Sequence, residues 1–312
     1  MSTSQTAAAD THTLPLAGLV FALLAAVGFS FKAIFVKLAY RHGVDAETLL
    51  ALRLASSLPV FAVMGWRARA TIRNGKAPLD RRDYAWLALL GLFGYYLASY
   101  LDFLGLDYIS AGLERVILFI YPTIVVVLSA LFLGKPLTGR VMAALILTYF
   151  GVAIAVAHDF SVAGNTDAIV LGSTLVFGSA VSYALYLMLN GQVVGRLGTS
   201  RVTAGGSIFA AVLAIGQFIV MRPLAALDQP LEVHLYALAM GLFCLVMPVW
   251  CLSEAIRRIG AGPVALMGSF GPIITLAFGW VLLTEPMGVA QLTGAALVIG
   301  GVTIMAKGKR RA

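Results

Sequence analysis

A 312-residue chain that is 60% apolar and only 12% charged, with a mean hydropathy of +0.93, lies far from the roughly 25% charged composition of soluble domains. Water-soluble folds are excluded. A lipid-spanning β-barrel is excluded too, because the apolar runs reach 18 residues or more, whereas barrel strands alternate over about 10. The net charge of +8 has no soluble basic face to carry it, so it reads as a topology signal and a contact with anionic lipid headgroups rather than as nucleic-acid binding.

The runs predict an all-α integral membrane protein with ten transmembrane helices. They lie near residues 16–36, 46–66, 84–105, 111–133, 139–157, 168–189, 202–221, 234–255, 261–284 and 287–306. The first 15 residues hold no Lys or Arg and lead into an apolar run without a small-residue cleavage site, so the first span is expected to be a retained helix. With the N-terminus inside, 16 of the 22 Lys and Arg fall in cytoplasmic segments and 3 outside, which places both termini in the cytoplasm. The tail KGKRRA is read as an orienting, lipid-facing end.

In chain order, span one carries Lys32, and span two carries Arg53 followed by Ser56 and Ser57. Span three aligns Tyr95, Ser99 and Asp102 on one helical face. Span four begins with Glu114 and Arg115 and reaches Tyr121 and the helix breaker Pro122. Span five, from Gly151 to Ala155, and span ten, from Ala296 to Gly300, hold small residues and no interior charge. Such helices approach closely and suit scaffolding or a homodimer contact. Span six repeats a polar stripe of Ser179, Ser182, Tyr183, Tyr186 and Asn190, and span nine carries Ser269, Gly271, Pro272 and Thr275.

An ionisable side chain inside a bilayer is costly and faces protein or a watery cavity. Two readings stay open for Lys32, Arg53, Asp102, Glu114 and Arg115. In one, lysine and arginine reach toward the headgroups and pair with the acids as a structural clamp. In the other, Lys32 or Arg53 attracts a substrate carboxylate while Glu114 handles a proton. Tyr95, Ser99, Tyr121, Tyr183 and Tyr186 would line the cavity, or would bond between helices. Pro122 and Pro272 at matched depth suggest a pair of hinges. Cys244 and Cys251, seven apart on span eight, suit buried small residues rather than a disulfide or a metal cage. No phosphate loop, dinucleotide fingerprint or zinc helix is present and the four His are scattered, so neither catalytic residues, a metal nor a cofactor is expected.

The second half overlies the first at an offset of 150 residues. Residues 109–154 and 259–304 share eleven identities, among them Gly112/Gly262, Pro122/Pro272, Pro136/Pro286 and Gly151/Gly301. Two units, 16–157 and 168–306, follow. Each has five spans, an odd number, so the second enters the membrane from the opposite face as an inverted repeat, the usual design of a secondary transporter.

The segments LALRLASS in span two, GLDYISAGLERVILFIYPTIVVVLSALFLGKPLTGR from span three onward and AIRRIGAGPVALMGSFGPIITLAFGWVLLTEP in the second unit resemble the EamA-type members of the drug/metabolite transporter superfamily. The resemblance implies a bacterial inner-membrane carrier that moves small polar metabolites, amino-acid or organic-acid in type, outward by alternating access. Spans one to four and six to nine would surround the cavity. An acidic residue usual in the turn after spans four and nine is present as Glu285 but replaced by Lys135 in the first unit. Lys32, where small multidrug exporters carry an acid, argues against lipophilic cations. Multidrug efflux is the alternative; a membrane receptor or a membrane-embedded enzyme is remote.

Overall fold

The computed structural model describes residues 16–70, 79–134, 136–163, 166–259, 264, 267, 268, 270–285 and 288–308. Lys76, Lys135, Gly262, Ser269, Pro286 and most of the basic tail lie outside them. Among the described residues the regular structure is entirely helical. Helices α1 (Leu16–Tyr40), α2 (Ala46–Ala70), α3 (Arg81–Tyr108), α4 (Ala111–Leu133), α5 (Gly139–Ala163), α6 (Thr166–Leu197), α7 (Thr199–Met221) and α8 (Leu231–Ile259) are each long and apolar enough to cross a membrane. Two shorter apolar helices follow, α9 (Gly271–Leu283) and α10 (Val289–Gly308). The protein is a multi-pass membrane protein.

Local sequence sets the starts and stops. Asp80 begins α3 with a capping box, its side chain accepting from the Asp83 N–H at 2.7 Å while Asp83 accepts from the Asp80 N–H at 3.1 Å. Ser110 caps α4 by accepting from Leu113 N–H at 3.1 Å. Gly134 ends α4 with φ +64°, a left-handed conformation that glycine adopts without a Cβ clash. Helices α6 and α8 run past the expected 168–189 and 234–255, because polar ends such as Asn190–Leu197 continue the hydrogen-bond ladder beyond the apolar stretch.

Packing pairs helices across the two halves of the chain. Helix α1 lies along α8 and α6 along α3, α2 pairs with α7, and α5 pairs with α10. Helix α4 packs on α6 as α9 packs on α1. The α5–α10 seam depends on glycine. A methyl group at Gly151 would come within 2.7 Å of the Gly294 carbonyl oxygen, and one at Gly294 within 2.6 Å of the Gly151 carbonyl oxygen. The opposite face of α5 leaves Met142, Ile146 and Phe150 exposed, as a lipid-facing surface would.

Of the three π-helical segments among the described residues, two occupy corresponding places, Gly91–Leu97 in α3 and Leu242–Val246 in α8, and the third is Gly279–Leu283 in α9. A π turn frees backbone carbonyls for outside partners. The Ser182 hydroxyl donates to the Phe93 carbonyl at 2.7 Å, and the Gly28 backbone of α1 packs against the Phe243 carbonyl of α8. Gly91 and Gly241, 150 residues apart, each admit a neighbouring backbone, Gly206 of α7 and Arg53 of α2 respectively.

Candidate functional site

Helices α1, α3 and α4 converge on three charges. Lys32 Nζ donates to Asp102 Oδ2 at 2.6 Å and to Glu114 Oε1 at 3.0 Å. The Ser110 cap starts α4 four residues before Glu114 and so turns that carboxylate toward α1. Glu114 is fully buried and Asp102 is 1% exposed. One lysine therefore faces two buried carboxylates, and the cluster carries a formal charge of −1. Asp102 Oδ1 and Glu114 Oε2 have no hydrogen-bond partner among the described residues. Leaving such atoms unpartnered is expensive, so they are places where a proton, a water or a ligand donor gains most.

The two arginines behave differently. Arg53 is buried, donates from Nη1 to Ser99 Oγ at 3.3 Å and lies 5.3 Å above the Phe103 ring centre. Arg115 does not join the acids. Its guanidinium lies against Gly271, where a methyl group would come within 2.8 Å of Nη2, and its Nε is buried without a hydrogen-bond partner among the described residues. The structure thus selects Lys32, not Arg115, as the partner of the carboxylates.

A second cluster is aromatic. Tyr121 of α4 meets Tyr183 of α6 edge to face at 5.0 Å, Tyr183 stacks on Tyr186 at 5.5 Å, and Tyr186 meets Tyr95 of α3 at 5.4 Å. The Tyr95 and Tyr186 hydroxyls are 3.2 Å apart and hydrogen-bonded. Gly94 makes room for the Tyr186 ring, which a methyl group there would overlap. Ser179 and Ser182, expected on the same stripe, instead bond to α3 carbonyls at Ala98 and Phe93 and serve the helix contact. The π turn also separates Tyr95 from its neighbours: Tyr95 turns to α6, Ser99 to Arg53 and Asp102 to Lys32.

Pro122 and Pro272 each occupy the first turn of a helical segment, after a break at Phe119–Ile120 and at Phe270. At that position proline forfeits no helical hydrogen bond, since the N–H it lacks would have had no partner. The interruption is therefore a break ahead of the proline, not the bend around it that the sequence suggests. The backbone is matched: Ile120 has ψ −10° and Phe270 has ψ −9°. Beside the second break the Ser30 hydroxyl of α1 donates to the Gly271 carbonyl at 3.2 Å, and the Thr275 hydroxyl donates to the Ser30 carbonyl at 3.3 Å.

Side-chain hydrogen bonds tie together the end of the bundle that holds the α1–α2, α3–α4 and α7–α8 turns and the end of α9. Glu285 accepts from Ala111 N–H at 3.0 Å on both oxygens and from Gly112 N–H at 3.4 Å, covering free donors at the start of α4. Arg41 donates to the Leu283 carbonyl at 2.9 Å, and Tyr40 donates to the Phe103 carbonyl at 2.7 Å. Arg222 binds Glu47 at 3.1 Å and lies 3.4 Å from Asp45. The Glu47 hydrogen bond and the Asp45 charge hold the Arg222 guanidinium above its usual pKa. Burial works against ionised Asp45, but the Thr48 N–H and hydroxyl, with Arg222, outweigh it and hold the carboxyl below its usual value. A cavity of about 340 Å³ lined by Lys37, Tyr40, Arg41, Asp107, Leu283 and Glu285 opens here. The role of Glu285 is the feature sequence reading passed over. The signal for it was the acid just after span nine together with the Ala111–Gly112 start of span four.

Residues 16–157 and 170–307 each match the family model described as the EamA-like transporter family. The chain belongs to that family. It is 31% identical over 297 residues to the uncharacterized transporter YcbK of Bacillus subtilis, covering 93% of this chain and 92% of that one. It is also 26% identical over 325 residues to the WAT1-related protein At1g25270 of Arabidopsis thaliana, covering 90% and 87%. A solved crystal structure superposes with a TM-score of 0.61 over 94% of this chain and 99% of that one, at 19% identity, which speaks for the fold alone. This EamA-like protein is thus a membrane transporter and not an enzyme.

Proposed function

We propose that this transporter is a secondary active carrier that exports small polar metabolites, amino-acid or organic-acid in type, by alternating access. The buried cluster of Lys32, Asp102 and Glu114 carries the proposal. It places a net negative, incompletely satisfied charge set inside the span, where a transported or coupling species would repay its cost. Ten crossings in two inverted five-helix repeats are the architecture proposed with it. Support comes from the packing exchange: α1 on α8 mirrors α6 on α3, α3 on α7 mirrors α8 on α2, and α2–α7 and α5–α10 mirror themselves. The paired breaks before Pro122 and Pro272 supply two hinges related by the same operation.

With both termini cytoplasmic in a bacterial inner membrane, the tied end faces outward. Glu285, Arg41 and Arg222 then form an outer gate in its closed state. Opening it must break these bonds while inner contacts form, as alternating access demands. A lipophilic-cation efflux role is less well supported, because Lys32 already occupies the two acids such a cargo would seek. Counterflow of labelled amino acids and organic acids in proteoliposomes tests the proposal. Wild type should exchange at least one of these solutes, and Glu114→Gln should lose the response to an imposed pH gradient. Wild-type exchange that ignores the gradient and survives both Lys32→Ala and Glu114→Gln would remove the cluster from the mechanism.

A further inference from the structure

The cavity of about 340 Å³ at the tied end gathers charges from α1, α3 and the end of α9 that the gate bonds leave unused. Lys37 and Arg41 lie one helical turn apart, joined by the Arg41 N–H to the Lys37 carbonyl at 3.3 Å, and so share one face of α1. Asp107, next to last in α3, lines the same space. Glu285 is already taken by the Ala111 and Gly112 N–H groups, and Arg41 spends one donor on the Leu283 carbonyl. The side chains of Lys37 and Asp107 take part in no hydrogen bond or ion pair among the described residues. A lone surface charge needs only water. Here two cations are held at a repelling i, i+4 spacing, and an unpaired acid from another helix faces the same concave space.

We propose, resting on the orientation and gate of the carrier reading above, that this cavity binds a small soluble zwitterion from outside and that its occupancy holds the outer gate shut. The anionic end would sit between Lys37 and the unused N–H groups of Arg41, relieving their repulsion, and the cationic end on Asp107. The charged side chains of the lining, two basic and two acidic, sum to zero, so a ligand with one charge would satisfy one wall and leave the other bare. A volume of about 340 Å³ is near the lower limit of ligand pockets, roughly 300–1,000 Å³, and suits a small solute. The walls are the elements that the Arg41–Leu283 and Tyr40–Phe103 bonds hold together. Opening the gate moves them apart and dismantles the site. A ligand that spans them binds the closed form more tightly and shifts the population toward it. A second opening, lined by Trp280, Val281, Thr284 and Glu285, adjoins at Glu285, and its Trp280 and Val281 are exposed. A zwitterionic phospholipid headgroup is therefore the competing source of this chemistry. The charged cavity itself offers little apolar wall beyond Leu283, which favours a ligand without an acyl chain.

Isothermal titration of the purified full chain in detergent tests the site with alanine, β-alanine and γ-aminobutyrate, whose charges stand progressively further apart. The controls are butyrate, butylamine and glycerophosphoethanolamine. At least one of the three amino acids should bind about 10-fold or more tightly than butyrate and butylamine. Lys37→Gln and Asp107→Asn should each weaken that binding about 10- to 100-fold, the range for losing a charge-assisted hydrogen bond. Lys37→Arg should recover part of it. Binding should persist in Lys32→Met/Asp102→Asn/Glu114→Gln, whose substitutions lie outside the cavity lining. In proteoliposomes the same amino acid added outside should slow export of a preloaded solute, and this slowing should be absent from Lys37→Gln. Equal binding of butyrate or butylamine, wild-type binding by Lys37→Gln or Asp107→Asn, binding lost only in the triple variant, binding of glycerophosphoethanolamine alone, or faster export on outside addition overturns the proposal. Export by a protein that binds none of the three amino acids removes the site and leaves the carrier standing. Binding through Lys37 and Asp107 in a protein that exports nothing keeps the site and sinks the carrier together with its gate.

Discussion

Removing Lys32 alone should damage the protein more than removing every charge around it. Its ammonium sits 2.6 Å and 3.0 Å from two carboxylates, attractions worth roughly 5.5–6.5 kcal/mol each at an effective dielectric near 20 before desolvation is counted. Desolvation and carboxylate–carboxylate repulsion cancel most of that gain. The stranded acids of Lys32→Met nevertheless remain buried, and breaking such a pair from one side costs about 3–5 kcal/mol. At about 2–4 °C per kcal/mol the variant should melt roughly 6–20 °C below wild type in detergent. The triple variant Lys32→Met/Asp102→Asn/Glu114→Gln removes all three charges of the cluster together and should return to within about 2 kcal/mol of wild type. Its counterflow should nonetheless be absent, separating stability from function. A single variant that melts within about 2 °C of wild type, or a triple variant that melts as low as the single one, refutes the electrostatic reasoning. A triple variant that still responds to a pH gradient refutes the mechanism.

Glu285→Ala removes the acceptor for Ala111 and Gly112 N–H and should cost about 1–2 kcal/mol. It should also raise labelling of an introduced cysteine at Asp107 by a membrane-impermeant thiol reagent; unchanged labelling would show that Glu285 does not hold the gate. Gly151→Ala forces a methyl group onto the Gly294 carbonyl and should cost about 1–3 kcal/mol, read as a lower Tm with substrate preference unaltered. An unchanged Tm would mean that the α5–α10 seam is looser than its spacing implies. Asp45→Ala should cost about 1 kcal/mol at neutral pH through the lost Thr48 cap. Because the folded carboxyl titrates below its ordinary value of 3.8, that stability is present above pH 3.8 and drains as pH falls through the lower folded value. The gap between wild type and variant should therefore close only in strong acid; a gap that is constant with pH would place the effect elsewhere.

Much of this transporter is legible in one dimension. Apolar runs and small-residue helices are local patterns, and the 150-residue offset survives in glycines and prolines because backbone geometry tolerates few substitutes there. So the membrane class, the EamA-like family and the helix segments follow from the chain alone, as do the buried positions of Arg53, Asp102 and Glu114. Helix lengths were underestimated at α6 and α8, where polar residues extend helices past the apolar stretch.

Partnership was not legible. Lys32 finds Asp102 and Glu114 across 70 and 82 positions, Glu285 caps α4 across 174, and Tyr95 reaches Tyr186 only because a π turn reorients α3. An unpaired charge in a bilayer announces only that it needs a partner. Which neighbour answers depends on helix rotation and crossing, quantities set by contacts summed over whole helix faces. Composition and periodicity thus determined what kind of molecule this is, while tertiary packing alone decided that Lys32 is answered and Arg115 left open.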